Sequence, residues 1–175
     1  MWGDTMIFGA IDGGKSGGIV FLAEDGKILE MYPTPVIKGS KVKDEYDIPA
    51  IDKILGSYAG KPIHVILEKF QTLPAALGGS SANFSRGFSF GMYQALLVSN
   101  GISYTVVPPR TWQKVMFLGV NAEDTKTASV MVAKRLWPQQ DWRRTEKSKK
   151  DHDGFTDACL LAMWGIRTMG NNNLA

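Results

Sequence analysis

The chain has 175 residues, 44 % of them apolar and 21 % charged, which is the balance of a soluble globular protein and the length of one ordinary domain. One cysteine, Cys159, excludes a disulfide framework and a cysteine-based zinc site and fits a reducing compartment. No run of about 18 apolar residues is present to span a membrane, the N-terminal residues lack signal-peptide character, and a net charge of +3 does not by itself announce a nucleic-acid binder.

In chain order, residues 6–11 are an apolar run ending at Asp12 and read as a buried strand. A Gly13-Gly14-Lys15-Ser16-Gly17-Gly18 turn follows. Ile19–Leu22 and Ile28–Tyr32 read as second and third strands joined by a hairpin at Glu24–Lys27. The opening is therefore a three-stranded antiparallel meander. Residues 33–47, with Pro33, Pro35 and Gly39, read as a loop. Ile48, Ile51, Ile54, Leu55 and Tyr58 recur at helical spacing, and Gly60-Lys61-Pro62 stops that helix. His64–Glu68 is a fourth strand, apolar up to its acidic end. Residues 71–83 read as a glycine-bearing loop.

Phe84–Ser99 reads as a helix, and Phe84, Phe88, Phe90, Met92 and Tyr93 give it apolar residues on more than one face. One face suits the sheet and the other a second subunit, or both are buried. Ser103–Val107 is a fifth strand, ended by Pro108-Pro109. A short helix is expected from Thr111 to Phe117, and a longer one capped by Asp124 or Thr125 and ended by Trp137-Pro138. A polar, basic stretch over 139–151 leads into a final helix from Asp153 to Arg167. This order describes an α/β protein with a mixed five-stranded sheet flanked by helices, occupying residues 1–175 as a single domain.

Four carboxylates stand out. Asp12 and Glu68 each end an otherwise apolar strand, where a charge is costly unless something neutralises it. Asp153 and Asp157 are spaced i,i+4 and share one helix face. Taken singly, Asp12 suits a turn, Glu68 an exposed strand end and Asp153 a helix N-cap. Taken together, they are hard oxygen ligands without a thiolate or histidine cluster. That set favours Mg²⁺, with Mn²⁺ as a substitute. Two such ions would activate water and stabilise the leaving oxygen of a phosphodiester.

The motif Ala10-Ile11-Asp12-Gly13-Gly14-Lys15-Ser16-Gly17-Gly18 resembles the opening of RuvC-like Holliday junction resolvases. Ile66-Leu67-Glu68 is similar to their second acidic strand. Lys149-Lys150-Asp151-His152-Asp153-Gly154-Phe155-Thr156-Asp157-Ala158 is similar to their C-terminal acidic helix. Gly87–Gly91 and Val107–Trp112 extend the likeness to the chloroplast and bacteriophage branch. The resemblance covers about Ile7 to Gly165. It implies an RNase H-like fold, a homodimer, and Mg²⁺-dependent paired nicking of four-way DNA junctions. It implies an intracellular setting: the cytoplasm of a bacterium or phage-infected host, or an organelle matrix.

The same resemblance puts the catalytic, metal-binding carboxylates on Asp12, Glu68, Asp153 and Asp157. Several relatives space the last pair by three, which here falls on Gly154, so Asp151 and His152 are reserve candidates for the fourth role. Lys126 is similar in placement to a catalytic lysine near the cleaved phosphate. Gln113 stands where a second lysine is expected, and Lys114 follows it. Phe70 is a candidate to stack on a base, and Arg86 to touch a phosphate.

The charge distribution supports a DNA partner. Between Arg110 and Lys150 there are 10 basic and 4 acidic residues, a local charge of +6. The candidates for phosphate contact there are Arg110, Lys114, Lys126, Arg143, Arg144, Lys147, Lys149 and Lys150, and such binding should weaken with salt. Three other readings compete: an RNase H-like nuclease for other branched DNA or RNA–DNA hybrids, a non-catalytic junction-binding module, and a sugar kinase suggested by Asp12-Gly13-Gly14-Lys15-Ser16-Gly17. The last needs a second phosphate motif, which the chain lacks.

Overall fold

The structure is a computed structural model that describes residues 5–39, 44–72, 74 and 79–170. Parts of the expected 33–47 and 71–83 loops, Gly78 among them, lie outside the described residues. Five strands form one sheet: β1 (Ile7–Asp12), β2 (Gly18–Ala23), β3 (Ile28–Pro33), β6 (Ile63–Glu68) and β7 (Ser103–Val107), in the order β3-β2-β1-β6-β7. β1, β2 and β3 pair antiparallel, whereas β6 joins β1 in parallel and β7 joins β6 in parallel. The sheet is therefore mixed, as expected.

Two departures concern the loops. Val36–Ile37 (β4) and Glu45–Tyr46 (β5) pair as a separate two-stranded sheet inside the expected 33–47 loop. Two-residue strands are too short to show alternation in a sequence. Helix α2 runs Gly79–Ser99 and so takes in the end of the expected 71–83 loop. Its first turn is Gly-Ser-Ser-Ala, which carries no apolar periodicity to betray it.

The remaining helices are α1 (Ile48–Gly56), α3 (Pro109–Met116), α4 (Thr125–Leu136) and α5 (Asp153–Met169). Asp47 caps α1 through Ala50 N, and Asp124 caps α4 through Thr127 N at 2.7 Å. Each cap satisfies a backbone donor that the helix itself leaves unpaired. None of the helices is long and apolar enough to cross a membrane among the described residues.

Strand parity divides the core in two. Ile7, Ile11, Ile19, Phe21, Val65 and Leu67 face a cluster with α1 and α2. Ala10, Val20, Leu22 and Ile66 face the opposite cluster, with α3, α4 and the buried face of α5. This parity positions the site. Asp12 follows Ala10 by two and Glu68 follows Ile66 by two, so both carboxylates belong on the α5 side. Parallel pairing of Ile11 with Leu67 sets their strand ends next to each other.

Candidate active site

The carboxyl ends of β1 and β6 deliver Asp12 and Glu68, and α5 delivers Asp153 and Asp157. Two glycines bring α5 this close. A Cβ on Gly154 would lie 2.5 Å from the carbonyl carbon of Gly17, and one on Gly17 would lie 2.0 Å from Asp12 O. The turn after Asp12 and the first turn of α5 therefore meet backbone to backbone. Position 154 has no room for a side chain of any kind. His152 occupies the N-cap of α5 and Asp153 is the first helical residue, so Asp153 is not the cap.

Glu68 and Asp157 are each held by one neutral side-chain donor that sequence reasoning missed. Trp112 Nε1, on α3, donates to Glu68 Oε1 at 2.8 Å. Ser129 Oγ, on α4, donates to Asp157 Oδ1 at 2.5 Å and lies 3.1 Å from Thr156 Oγ1. Both donors are 1 % exposed. The only signal in the sequence was the placement of Trp112 and Ser129 on the inward faces of amphipathic helices, which reads equally as core.

The electrostatics are those of crowded acids. Burial raises the Asp12 carboxyl above its usual range, and the charge of Asp153 adds to this, against a backbone hydrogen bond from Gly14. Burial pushes Glu68 up to about 7, with Asp12 and Asp157 adding and the Trp112 bond opposing. Burial likewise pushes Asp157 up to about 7. Asp12 and Asp153 reinforce it, while Ser129 and Lys126 oppose it. Among the described residues, no ion pair reaches Asp12, Glu68 or Asp157. Among the described residues, the ion pair at the cluster is that of Lys126, whose Nζ lies 3.0 Å from Asp153 Oδ2 at the exposed rim.

Partly buried, mutually repelling carboxylates are a donor set that a hard divalent ion satisfies. The side chains stand as neighbours and are not drawn into a closed shell. Among the described residues, no three of His, Cys, Asp or Glu form a group that could hold a metal ion as they stand.

Asp12 and Glu68 open onto a cleft of about 270 Å³ whose wall includes Phe70 and Arg86. Phe70 is half-buried, its ring 5.4 Å from that of Phe90, and Arg86 is exposed, donating to Gln71 O at 3.1 Å. Asp153 and Asp157 lie outside this wall. Arg110 and Lys114 lie exposed on α3. The reserve candidate Asp151 is paired to Lys134 at 2.7 Å, and the His152 ring lies tilted against Phe155 at 4.4 Å, its pKa lowered by burial and by Arg144 against the pull of Asp153.

The basic stretch is a closed excursion. Trp142, 2 % exposed, anchors its start against Trp137. His152 N donates to Trp142 O at 2.7 Å, and the backbones of Arg143 and Asp151 pair as an isolated antiparallel β-bridge across the neck. Arg143 is engaged with Asp141, at 2.7 Å from Nη2. Arg144, Lys147, Lys149 and Lys150 project into solvent directly before α5.

No family model matches the sequence, and no curated protein does. Solved structures do match. Thermus thermophilus RuvC superimposes with a TM-score of 0.60 at 16 % identity, over 94 % of this chain and 97 % of that one. T. thermophilus RuvC in complex with a Holliday junction substrate gives 0.59 at 12 % identity, over 91 % and 92 %. The chain therefore has the RuvC form of the RNase H-like fold.

Proposed function

We propose that this protein is a structure-specific DNA endonuclease that resolves four-way junctions by paired, metal-dependent nicking. In this reading it is a RuvC-like resolvase whose residues 1–175 act as a single nuclease domain. Its likeness to the chloroplast and bacteriophage branch rests on Gly87–Gly91 and Val107–Trp112 alone. The observation that carries the proposal is the meeting of Asp12 and Glu68, at adjacent strand ends, with Asp157 of α5. All three have raised pKa values, and among the described residues none of them forms an ion pair.

Asp12, Glu68, Asp153 and Asp157 would hold two Mg²⁺, or Mn²⁺ in their place. Asp153 is preferred over Asp151 and His152 because its charge acts on both Asp12 and Asp157. Bound divalent ions lower the pKa of water and offset charge on a phosphodiester. The chain's own residues do the rest. Lys126 sits beside Asp153, where its amine can meet a phosphate oxygen. Phe70 and Arg86 border the cleft, where a base and a backbone phosphate can rest. Arg110 and Lys114 on α3, and the excursion from Arg143 to Lys150, supply phosphate contacts around the site. A non-catalytic module is disfavoured, because acids facing DNA without metal would oppose binding.

A homodimer suits the outer face of α2. Met92, Tyr93 and Leu97 are buried on the sheet, whereas Phe84 is 77 % and Phe88 47 % exposed. A second subunit on that face would give two active sites related by a two-fold axis.

The substrate class is tested by a panel of a four-way junction, a replication fork, a flap and an RNA–DNA hybrid at equal concentration in Mg²⁺. The junction should be cut at least tenfold faster than the others. Equal or faster cutting of the hybrid or flap would replace the junction with that substrate. Junction cleavage should also fall as salt is raised, through loss of phosphate contacts.

A further inference from the structure

Helix α3 has two chemically opposed faces. Arg110 and Lys114, four residues apart, are exposed on one. Trp112, between them in sequence and on the other side of the helix, is 1 % exposed. An indole N–H is a donor only, and a buried one needs an acceptor. Here the acceptor is Glu68 Oε1, at 2.8 Å. The contact is built in by the backbone. β7 pairs Val107 with Glu68, Lys69 N donates to Val107 O at 2.8 Å, and Pro108 and Pro109 turn the chain straight into α3. The charged groups that act on Glu68, Asp12 and Asp157, both repel it.

We propose that Trp112 is the positioning residue of the Glu68 carboxylate, fixing Oε1 so that Oε2 is presented to a divalent cation. The inference rests on the metal-dependent reading above and adds to it a residue that touches neither metal nor substrate. One helix then carries basic side chains toward DNA and, on its inner face, the donor that orients a metal ligand. The bland alternative is a core tryptophan that found a convenient acceptor. Removing the donor separates the two: a core tryptophan would leave the metal requirement unchanged, and a positioning residue would not.

Trp112→Phe keeps an aromatic ring and deletes the N–H. Groups that orient a metal ligand typically contribute 10–100-fold to metal affinity or activity. The Mg²⁺ concentration for half-maximal junction cleavage should therefore rise about tenfold or more. Cleavage at saturating Mg²⁺ should fall far less than cleavage at limiting Mg²⁺. A folded Trp112→Phe protein with the wild-type Mg²⁺ requirement overturns the proposal.

A second measurement does not depend on that variant folding. The chain has five tryptophans, so an indole ¹H–¹⁵N spectrum of the wild-type protein is simple. One indole signal should shift on adding Mg²⁺, and should move and lose its Mg²⁺ response in Glu68→Ala. If wild-type protein cleaves with Mg²⁺ but no indole signal responds, the Trp112 proposal is wrong and the nuclease reading stands. If wild-type protein neither cleaves branched DNA nor responds to Mg²⁺, both fall.

Discussion

Asp157→Asn should reduce metal-dependent cleavage by roughly a thousand-fold or more, the equivalent of about 4 kcal/mol of transition-state stabilisation, while junction binding persists. The substitution is nearly isosteric. The amide oxygen can still accept from Ser129 Oγ, which now sits 2.5 Å from Oδ1, so the α4–α5 contact survives. What disappears is a negative charge among four carboxylates. An amide is a weaker ligand for a hard cation, so metal is lost and chemistry with it. Without metal, that same charge opposes a phosphate backbone, so affinity measured in EDTA should hold or improve. A gel-shift titration beside a cleavage time course separates the effects. Cutting at the wild-type rate would remove Asp157 from the site.

Metal-free protein should lose stability as the pH rises from 5 to 8, the reverse of ordinary acid denaturation. The sign comes from the two carboxyls at about 7. Glu68 starts from an ordinary 4.5 and Asp157 from 3.8, and burial raises both in the folded state. Between those limits the folded chain holds protons that the unfolded chain has lost. The stabilisation is complete below about 4 and is gone once the pH passes through about 7.

Two histidines work the other way over the same range. Burial lowers the pKa of His64 and His152 in the folded state, so their contribution to stability grows as the pH rises. A Glu68→Gln/Asp157→Asn double variant cancels their effect. The difference in Tm between wild-type and double variant should widen from pH 5 to pH 8. The carboxyl contribution is of order a few kcal/mol, so the widening should be roughly 5 °C or more for a chain of this size. Mg²⁺ should recover much of the loss at pH 8 and little at pH 5, where ligand protons compete with it. It should leave the double variant nearly unmoved. A Tm difference flat with pH would mean that these carboxyls ionise normally.

Much of this arrangement could be read in the sequence. Strand alternation carries Ala10 to Asp12 and Ile66 to Glu68 on one face, and the i,i+4 spacing of Asp153 and Asp157 puts them on one helical face. Those patterns are local, and local patterns survive in sequence. The five-stranded mixed sheet followed from runs of apolar residues long enough to show their period. The strands β4 and β5 were invisible because two residues have no period. The start of α2 was hidden because its first turn is small and polar.

The donors were hidden for another reason. Trp112 and Ser129 act through helices that meet the sheet only in three dimensions, and no spacing relates Trp112 to Glu68 or Ser129 to Asp157. Gly154 was half legible. It marks a departure from the resolvase pattern that the sequence resembles, but only the 2.5 Å approach to Gly17 gives that glycine a physical reason. Likewise, the basic run from Arg143 to Lys150 was plain in composition. Its closure into an anchored excursion, through Trp142 and the Trp142 O to His152 N bond, was not.

In the proposed function, four carboxylates on an RNase H-like sheet support the cutting of branched DNA with divalent metal. Its most direct test is a synthetic four-way junction, labelled on each strand in turn and incubated with the protein with and without Mg²⁺. The expected result is a pair of nicks at symmetric positions on two opposed strands, present with Mg²⁺ and absent in EDTA. Tight binding without nicks in either Mg²⁺ or Mn²⁺, or nicks that persist in EDTA, would contradict it.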